Sequence, residues 1–387
     1  MGRIRILNII TRLEQGGAPL SVLEMIGRLS SSRYDVVLAA GQTDDPDLDL
    51  TEAARNRGLQ LCVIPALRRT IHPLRDLLAF CQIVRAIRAG RYHLIHTHTS
   101  KAGLLGRLAA RFCGIAAVVH SPHGTVLEGY FGPLTTRFFA LLERLAALWA
   151  DRIICLTEME IGQYLRVRIG RRSQYTHIYN GIDVEAFAGR ASDRTALRTA
   201  LGLAADHLVC ITVGRLVPVK GHADLLHAFR MAVTACPQLR LVIVGEGLLR
   251  PQLEDLSANL GLDQRVMFLG WRNDTAELLG ASDIFILSSH NEGLGLVLVE
   301  AMARCLPVVA TAVGGVPEVV RHNRTGILVA PCAPEAMARA IQALAADVER
   351  RRRMGRAGYE RARAHFSIDD TVRRTEQLYR TLIGTRP

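Results

Sequence analysis

Long hydrophobic runs are missing from this chain of 387 residues. Its purely apolar stretches, such as Ile284 to Leu287 and Leu306 to Ala310, fall far short of the ~20 residues that cross a bilayer, so no transmembrane helix is expected. The apolar start from Ile4 to Ile10 meets Arg12 and Glu14 at once, too soon for a signal-peptide core, and it reads as a first strand. Aromatic residues make up only 5%, and no helix-turn-helix, zinc-finger or RNP-type pattern occurs, which argues against a nucleic-acid partner. Low-complexity tracts are absent, which excludes the disordered and fibrous classes. The eight cysteines form no C-x-x-C pair. Most have apolar neighbours, as in Ile154-Cys155-Leu156, and they read as reduced core residues of a cytosolic protein.

What is present is a basic charge of +12, spread over both halves, and a regular alternation of strands and helices. A basic surface suits nucleic acid, anionic lipid or phosphorylated substrates, and charge alone does not choose among them. Short β-branched runs fall near 4–10, 34–40, 61–65, 93–98, 116–121, 152–157 and 176–179, and again near 207–213, 240–244, 266–269, 283–288, 307–310 and 327–329. Helical stretches separate them, the pattern of α/β parallel sheets wrapped by helices. Each set supplies one doubly wound, Rossmann-like sheet, with the join near the turn signal Asn180-Gly181-Ile182-Asp183. Residues 1–183 and 184–365 are the expected domains, facing a cleft, and 366–387 a terminal helix returning to the first.

In such sheets ligands collect at the carboxyl ends of the strands, and the chemically suggestive residues cluster there. Gly16-Gly17 precedes a helix expected to begin at Pro19, where backbone N–H groups can approach an anion; a tight turn explains the pair equally well. Gly214, Arg215 and Lys220 follow the first strand of the second half, two cations that can clamp a diphosphate in place of a metal ion, with a solvated basic loop as the plain alternative. Further on, Glu292-Gly293-Leu294-Gly295 leads into an apolar helix that carries Glu300. A carboxylate flanked by Val299 and Ala301 needs a hydrogen-bonding partner, and ribose hydroxyls supply one.

These residues carry a family resemblance. The chain resembles the GT-B glycosyltransferases of the large retaining group called family 4, or glycosyl transferases group 1. The match spans nearly the whole sequence and is most specific from Ser288 to Gly326: the E-x7-E pair Glu292 and Glu300, Pro307-Val308-Val309-Ala310, Gly314-Gly315 and Thr325-Gly326. The resemblance implies that Glu292 meets hydroxyls of the donor sugar, that Gly293, Leu294 and Gly295 give backbone contacts, and that Glu300 holds the ribose. Arg215 and Lys220 match the family's diphosphate pair. Cys305 stands where the pattern usually has glycine.

In the first half, His96-Thr97-His98-Thr99-Ser100-Lys101 and His120-Ser121-Pro122-His123-Gly124 end two strands. Period-two spacing puts His96 and His98 on one strand face, as a metal pair requires, but no third ligand is identifiable and hydrogen-bonded core histidines are the commoner outcome. Both stretches resemble glycosyltransferases of exopolysaccharide, capsule and lipopolysaccharide assembly. That resemblance places His123 by the donor sugar, with His98, Lys101 and Gly124 on the acceptor side.

The segment from Leu134 to Trp149 carries only Arg137, Glu143 and Arg144 as charges. Core packing is its default reading. An interfacial helix near a lipid acceptor is the alternative, helped by Arg166, Arg168, Arg171 and Arg172. The expected reaction is transfer, with retention and without an added metal or other cofactor, of a sugar from a nucleotide donor, UDP-linked by preference, to a saccharide on a lipid diphosphate. The expected place is the cytoplasm, peripheral to the inner face of the membrane. A GT-B nucleotide-sugar 2-epimerase and a non-catalytic nucleotide-sugar-binding partner subunit are the competing readings.

Overall fold

A computed structural model describes residues 3–43, 48–124, 132–189 and 193–384. The chain divides into two compact units, Met1–Gly181 with Ile368–Pro387, and Ile182–Ser367. The first holds β1 (Ile4–Ile10), β2 (Tyr34–Gly41), β3 (Gln60–Ile64), β4 (Leu94–His98), β5 (Ala117–Ser121), β6 (Arg152–Cys155) and β7 (Tyr175–His177). The second holds β8 (Leu208–Val213), β9 (Leu239–Val244), β10 (Val266–Gly270), β11 (Ile284–Leu287), β12 (Val308–Thr311) and β13 (Gly326–Val329). All lie where the alternation predicts them.

Both sheets are parallel, in the orders β3-β2-β1-β4-β5-β6-β7 and β10-β9-β8-β11-β12-β13. Helices cover both faces, so central strands such as β11 bury side chains on both sides and read as continuous apolar runs, while β4 buries His96, Thr97 and His98 instead. In β1, Ile6 and Ile10 pack with Val22, Leu23 and Ile26 of the helix Gly17–Arg28 and with Tyr379 of the C-terminal helix Ile368–Gly384. Leu7 and Ile9 point the other way, into a core with Ile83 and Ile87 of the helix Pro73–Gly90 and Ala102 and Ala109 of the helix Ser100–Phe112. Each such side chain contributes about 1.5–3 kcal/mol on leaving water, which fixes the strand's register.

The strand orders place the sites. Between β1 and β4, and between β8 and β11, the direction of winding reverses, so the crossovers leave on opposite faces and open a crevice at the carboxyl ends.

Three sequence expectations change. The first helix starts at Gly17 rather than Pro19, because a proline within the first turn lacks only an N–H that has no helical acceptor. Of the cysteines, Cys155 and Cys210 alone are buried, while Cys81, Cys305 and Cys332 are exposed. Cys305 lies in a left-handed turn at φ 56°, the backbone state that explains glycine at such a position.

The helix Pro133–Ala147 inverts its default reading. Its small residues Ala140, Ala146 and Ala147 and its acid Glu143 face inward, whereas Leu134, Phe138, Leu141, Leu145 and the following Leu148 are exposed. The inward face meets the helix Ser100–Phe112, where fully buried Arg107 donates from NH2 to Glu143 Oε2 at 2.8 Å and from Nε to the Gly103 carbonyl at 2.8 Å.

Candidate active site

In the second unit the loops after β8 and β11 meet, as neighbours at the switch point must. Gly214 and Arg215 follow β8, and a single 3-10 turn, Pro218–Lys220, leads to Gly221. Gly221 adopts φ 63°, and a Cβ there would fall 2.2 Å from the Ser288 carbonyl oxygen, so only glycine permits the approach. Across this contact the Lys220 ammonium pairs with the Glu292 carboxylate. Ser289 Oγ donates to Glu292 Oε1 at 3.0 Å, Ser288 Oγ donates to the Lys220 carbonyl at 2.9 Å, and the His290 N–H donates to the Val219 carbonyl at 2.7 Å. The pair is largely withdrawn from water, with 19% and 11% of the two side chains exposed. Arg215 is exposed, and its guanidinium forms no ion pair with a described residue.

The turn after β12 supports the same loop. Gly314 sits at φ 49° with the position of its missing Cβ 1.7 Å from the Glu292 carbonyl oxygen, and the Gly315 N–H is shared between the carbonyls of Glu292 and Gly293 at 3.1 and 3.0 Å. Gly293 and Leu294 lead to Gly295, at φ 77°, which starts the helix Leu296–Ala303 that carries Glu300. Burial pushes the Glu300 carboxyl up to about 7, because its charged form is poorly solvated. Ser289 and Thr311, whose Oγ1 donates to the Ser289 carbonyl at 2.5 Å, complete the loop's support. Both lie at the carboxyl end of a strand, but as small hydroxyl residues they carry no charge or ring to mark them in the sequence.

In the first unit the histidines form a continuous hydrogen-bonded chain on the face of β4 that carries His96 and His98. The Asn180 amide nitrogen donates to His123 Nδ1 at 3.3 Å, His123 Nε2 meets His98 Nδ1 at 3.0 Å, and His98 Nε2 meets Asn8 Oδ1 at 3.0 Å. An amide nitrogen only donates and a carbonyl oxygen only accepts, so the two ends assign both histidines the Nε2–H tautomer. His123 therefore presents Nδ1 as an acceptor. His96 is engaged at Nδ1 by the Tyr379 hydroxyl at 2.6 Å and at Nε2 by Ser121 Oγ at 2.8 Å. With every ring nitrogen of His96 and His98 occupied by protein, a metal there would have to break this network.

Burial holds all of these rings neutral at pH 7: His96 is pushed down to about 3 and His123 to about 4, and His98 lies well below its usual value. A small cavity lies against this chain, with His96, His98, His123 and Asn180 on one side and Met25 and Ile178 among its apolar lining. His123 and Gly124 have φ of 59° and 111°.

The other acceptor-side candidates are placed differently. Lys101 is tied to Asp76 at 2.5 Å and to the Thr70 carbonyl at 2.6 Å, so its charge is already matched within the first unit. Gly16 is the extended N-cap of the first helix and Gly17 its first residue. Asn8, Ser121, Asn180 and Tyr379 had no signal in the sequence as site residues, since their partners are distant in the chain and Tyr379 arrives on the last helix.

Residues 193–361 match the family model described as glycosyl transferases group 1, and residues 15–186 the model described as glycosyltransferase family 4. A UDP-Gal:alpha-D-GlcNAc-diphosphoundecaprenol alpha-1,3-galactosyltransferase of Escherichia coli is 32% identical over 69% of this chain and 70% of its own. A D-inositol 3-phosphate glycosyltransferase of Streptomyces avermitilis is 30% identical over 95% and 83%. Among solved structures, the Anabaena protein HepE in complex with UDP-glucose superposes with a TM-score of 0.84 at 25% identity, covering 98% of this chain and 100% of that one. Sucrose-phosphate synthase from Thermosynechococcus elongatus gives 0.84 at 26%, covering 99% and 100%.

Proposed function

The chain belongs to the family 4 glycosyltransferases, or glycosyl transferases group 1, with the GT-B fold, and from that premise we propose that it moves a sugar from a UDP-sugar, with retention, to a saccharide on a lipid diphosphate. The observation that carries the donor half is the Lys220–Glu292 pair at the β8/β11 switch point. It holds a cation and a carboxylate side by side, one suited to a phosphate and the other to sugar hydroxyls. In the proposed reaction Lys220, Arg215 and the helix N-terminus at Gly295 stabilise the departing diphosphate. The acceptor oxygen bonds to the anomeric carbon from the face the diphosphate leaves, and a diphosphate oxygen takes the acceptor's proton. Gly16, Gly17 and Gly214 serve the donor, and no metal is assigned to the transfer. His123, held neutral with its Nε2–H given to His98, orients a sugar hydroxyl by exchanging the long 3.3 Å bond that Asn180 makes to its Nδ1 for one from the sugar. The relatives' printed activities support the substrate class: one uses UDP-Gal and a diphosphoundecaprenol-linked sugar. Thermal unfolding with UDP, ADP and GDP tests the base, since only a bound nucleotide raises the midpoint by mass action. UDP is expected to protect most, and equal indifference to all three would contradict the donor reading.

Glu300 gives this reading a pH signature. A ribose hydroxyl donates to a carboxylate, not to a carboxylic acid's O–H. With the carboxyl raised to about 7, UDP affinity is expected to be flat at alkaline pH and to weaken as the pH falls through that value, because protonation removes the charge that makes the acceptor strong. Glu300→Gln removes the group that titrates, so calorimetric titration of UDP across pH should show the slope flatten in the variant. An unchanged slope would take the ribose away from Glu300.

The lipid half of the proposal rests on the first unit's surface. Leu134, Phe138, Leu141, Leu145 and Leu148 line one stripe, and Leu74, Leu77 and Leu78 are exposed on the helix Pro73–Gly90. Both helices pack on the helix Ser100–Phe112. Exposed Arg85, Arg88, Arg137 and Arg144 flank the leucines, the mixture that lies in an anionic interface. Among the described residues no helix is long and apolar enough to cross a membrane, so attachment would be peripheral. Vesicles with anionic lipid are expected to sediment the protein at low salt and release it at high salt. Leu141→Asp is expected to weaken this binding about tenfold or more by removing one buried anchor. Vesicle binding unaffected by both salt and Leu141→Asp would move the membrane contact elsewhere.

A further inference from the structure

We propose that Asp224, His290 and Cys332 form a Zn2+ site in the second unit, distinct from the residues given to the donor. A carboxylate oxygen of Asp224, a ring nitrogen of His290 and the Cys332 thiol all lie within 4.8 Å of one another. They come from three separate places. Asp224 is in the first turn of the helix His222–Ala235, His290 in the loop after β11, and Cys332 in the turn between β13 and the helix Pro334–Ala346. Asp224 Oδ2 and His290 Nε2 are already 2.8 Å apart. On a tetrahedral Zn2+ with bonds of about 2.0–2.3 Å, neighbouring ligand atoms stand roughly 3.3–3.8 Å apart. Modest side-chain rotation therefore brings all three onto one ion, and the fourth position stays open to water.

The donor set chooses the metal. A thiolate, an imidazole and a carboxylate make the mixed set typical of zinc, whereas Mg2+ and Ca2+ take oxygen ligands and would leave the thiol unused. His290 and Cys332 are exposed, so an ion reaches them from solvent, while the bond from the His290 N–H to the Val219 carbonyl fixes one ligand's backbone. Binding needs the thiolate, so it releases a proton and strengthens as pH rises. It also joins the loop carrying Glu292, two residues beyond His290, to the helix that begins just after Lys220.

Cobalt(II) titration of the full-length protein, followed by displacement with Zn2+, tests the proposal without any sugar substrate. One Co2+ per chain is expected, with near-ultraviolet absorption from a thiolate ligand and visible bands of tetrahedral intensity, all bleached by Zn2+. Cys332→Ser should abolish the near-ultraviolet band and His290→Ala should lower affinity at least about tenfold, while Cys81→Ser and Cys305→Ser leave both unchanged. No near-ultraviolet band at stoichiometric Co2+, or a band that survives in Cys332→Ser, overturns the site. Either outcome leaves the glycosyl-transfer reading where it stands, because the measurement reads the metal alone.

Discussion

Replacing Lys220 by alanine is expected to lower turnover by about 10²-fold or more, the scale of losing one preorganised stabiliser of a developing charge. In the reaction, negative charge grows on the diphosphate as the sugar leaves, and the ammonium is held in place before it does. Ser288 and Glu292 provide that preorganisation: one hydroxyl anchors the Lys220 backbone carbonyl and one carboxylate anchors its head. The exposed Arg215, without a carboxylate partner among the described residues, is the second cation, and Arg215→Ala should fall on the same scale. Arg215→Ala removes an exposed side chain and should unfold within about 1 kcal/mol of the parent protein, whereas Lys220→Ala leaves the half-buried Glu292 carboxylate without its cation and is expected to lose stability as well, so its turnover is read per folded molecule. Glu292→Gln separates the roles. Because it loosens the anchor of Lys220 as well as the contact to the sugar, it should impair use of the intact UDP-sugar more than binding of free UDP, read by titrating each ligand. Near-normal kinetics in Lys220→Ala and Arg215→Ala would remove the diphosphate clamp.

The second large effect is on stability. Arg107 is 0% exposed and pairs with Glu143 at 2.8 Å, in the contact between the helices Ser100–Phe112 and Pro133–Ala147. Arg107→Met strands a buried carboxylate, and breaking one side of such a pair costs about 3–5 kcal/mol. For a unit of this size that is roughly 6–20 °C in the unfolding midpoint. The double variant Arg107→Met/Glu143→Leu leaves no buried charge and should recover most of the loss, since apolar replacement of a whole buried pair is often neutral or better. A double variant as unstable as Arg107→Met alone would mean that the pair contributes through something other than mutual neutralisation.

That same pair marks where the sequence stopped being legible. From Leu134 to Leu148 two faces have helical period: the leucines and phenylalanine at 134, 138, 141, 145 and 148, and the small residues with Glu143 at 140, 143, 146 and 147. Hydrophobicity favours burying the first. The fold buries the second, because the neighbouring helix approaches closely through small residues and brings the one cation that makes an inward glutamate tolerable. Nothing local to the segment reveals that cation 36 residues away. The strands were readable for the opposite reason. In a parallel sheet covered on both faces their apolar runs are continuous, and glycine turns punctuate them.

The candidate site was legible in its parts but not in its joins. Post-strand position was enough to select Lys220 and Glu292, while Glu300 stood out by its apolar flanks Val299 and Ala301 and His123 by the family resemblance. That Lys220 and Glu292 touch depends on β8 and β11 being neighbours, which strand order in space decides and strand order in sequence does not. In the first unit the neutral state of His98 and His123 follows from burial, and their tautomers from Asn8 and Asn180 at either end of the chain.

The central claim is a transfer, and it is tested by incubating the protein with an α-linked UDP-sugar and a saccharide carried on a polyprenyl diphosphate, then assigning the new anomeric centre by NMR. An α-linked glycolipid, formed with UDP in equal amount and only when the acceptor is present, is the expected result. A β-linked product would contradict retention, and conversion of the UDP-sugar to an epimer without any acceptor would contradict glycosyl transfer itself.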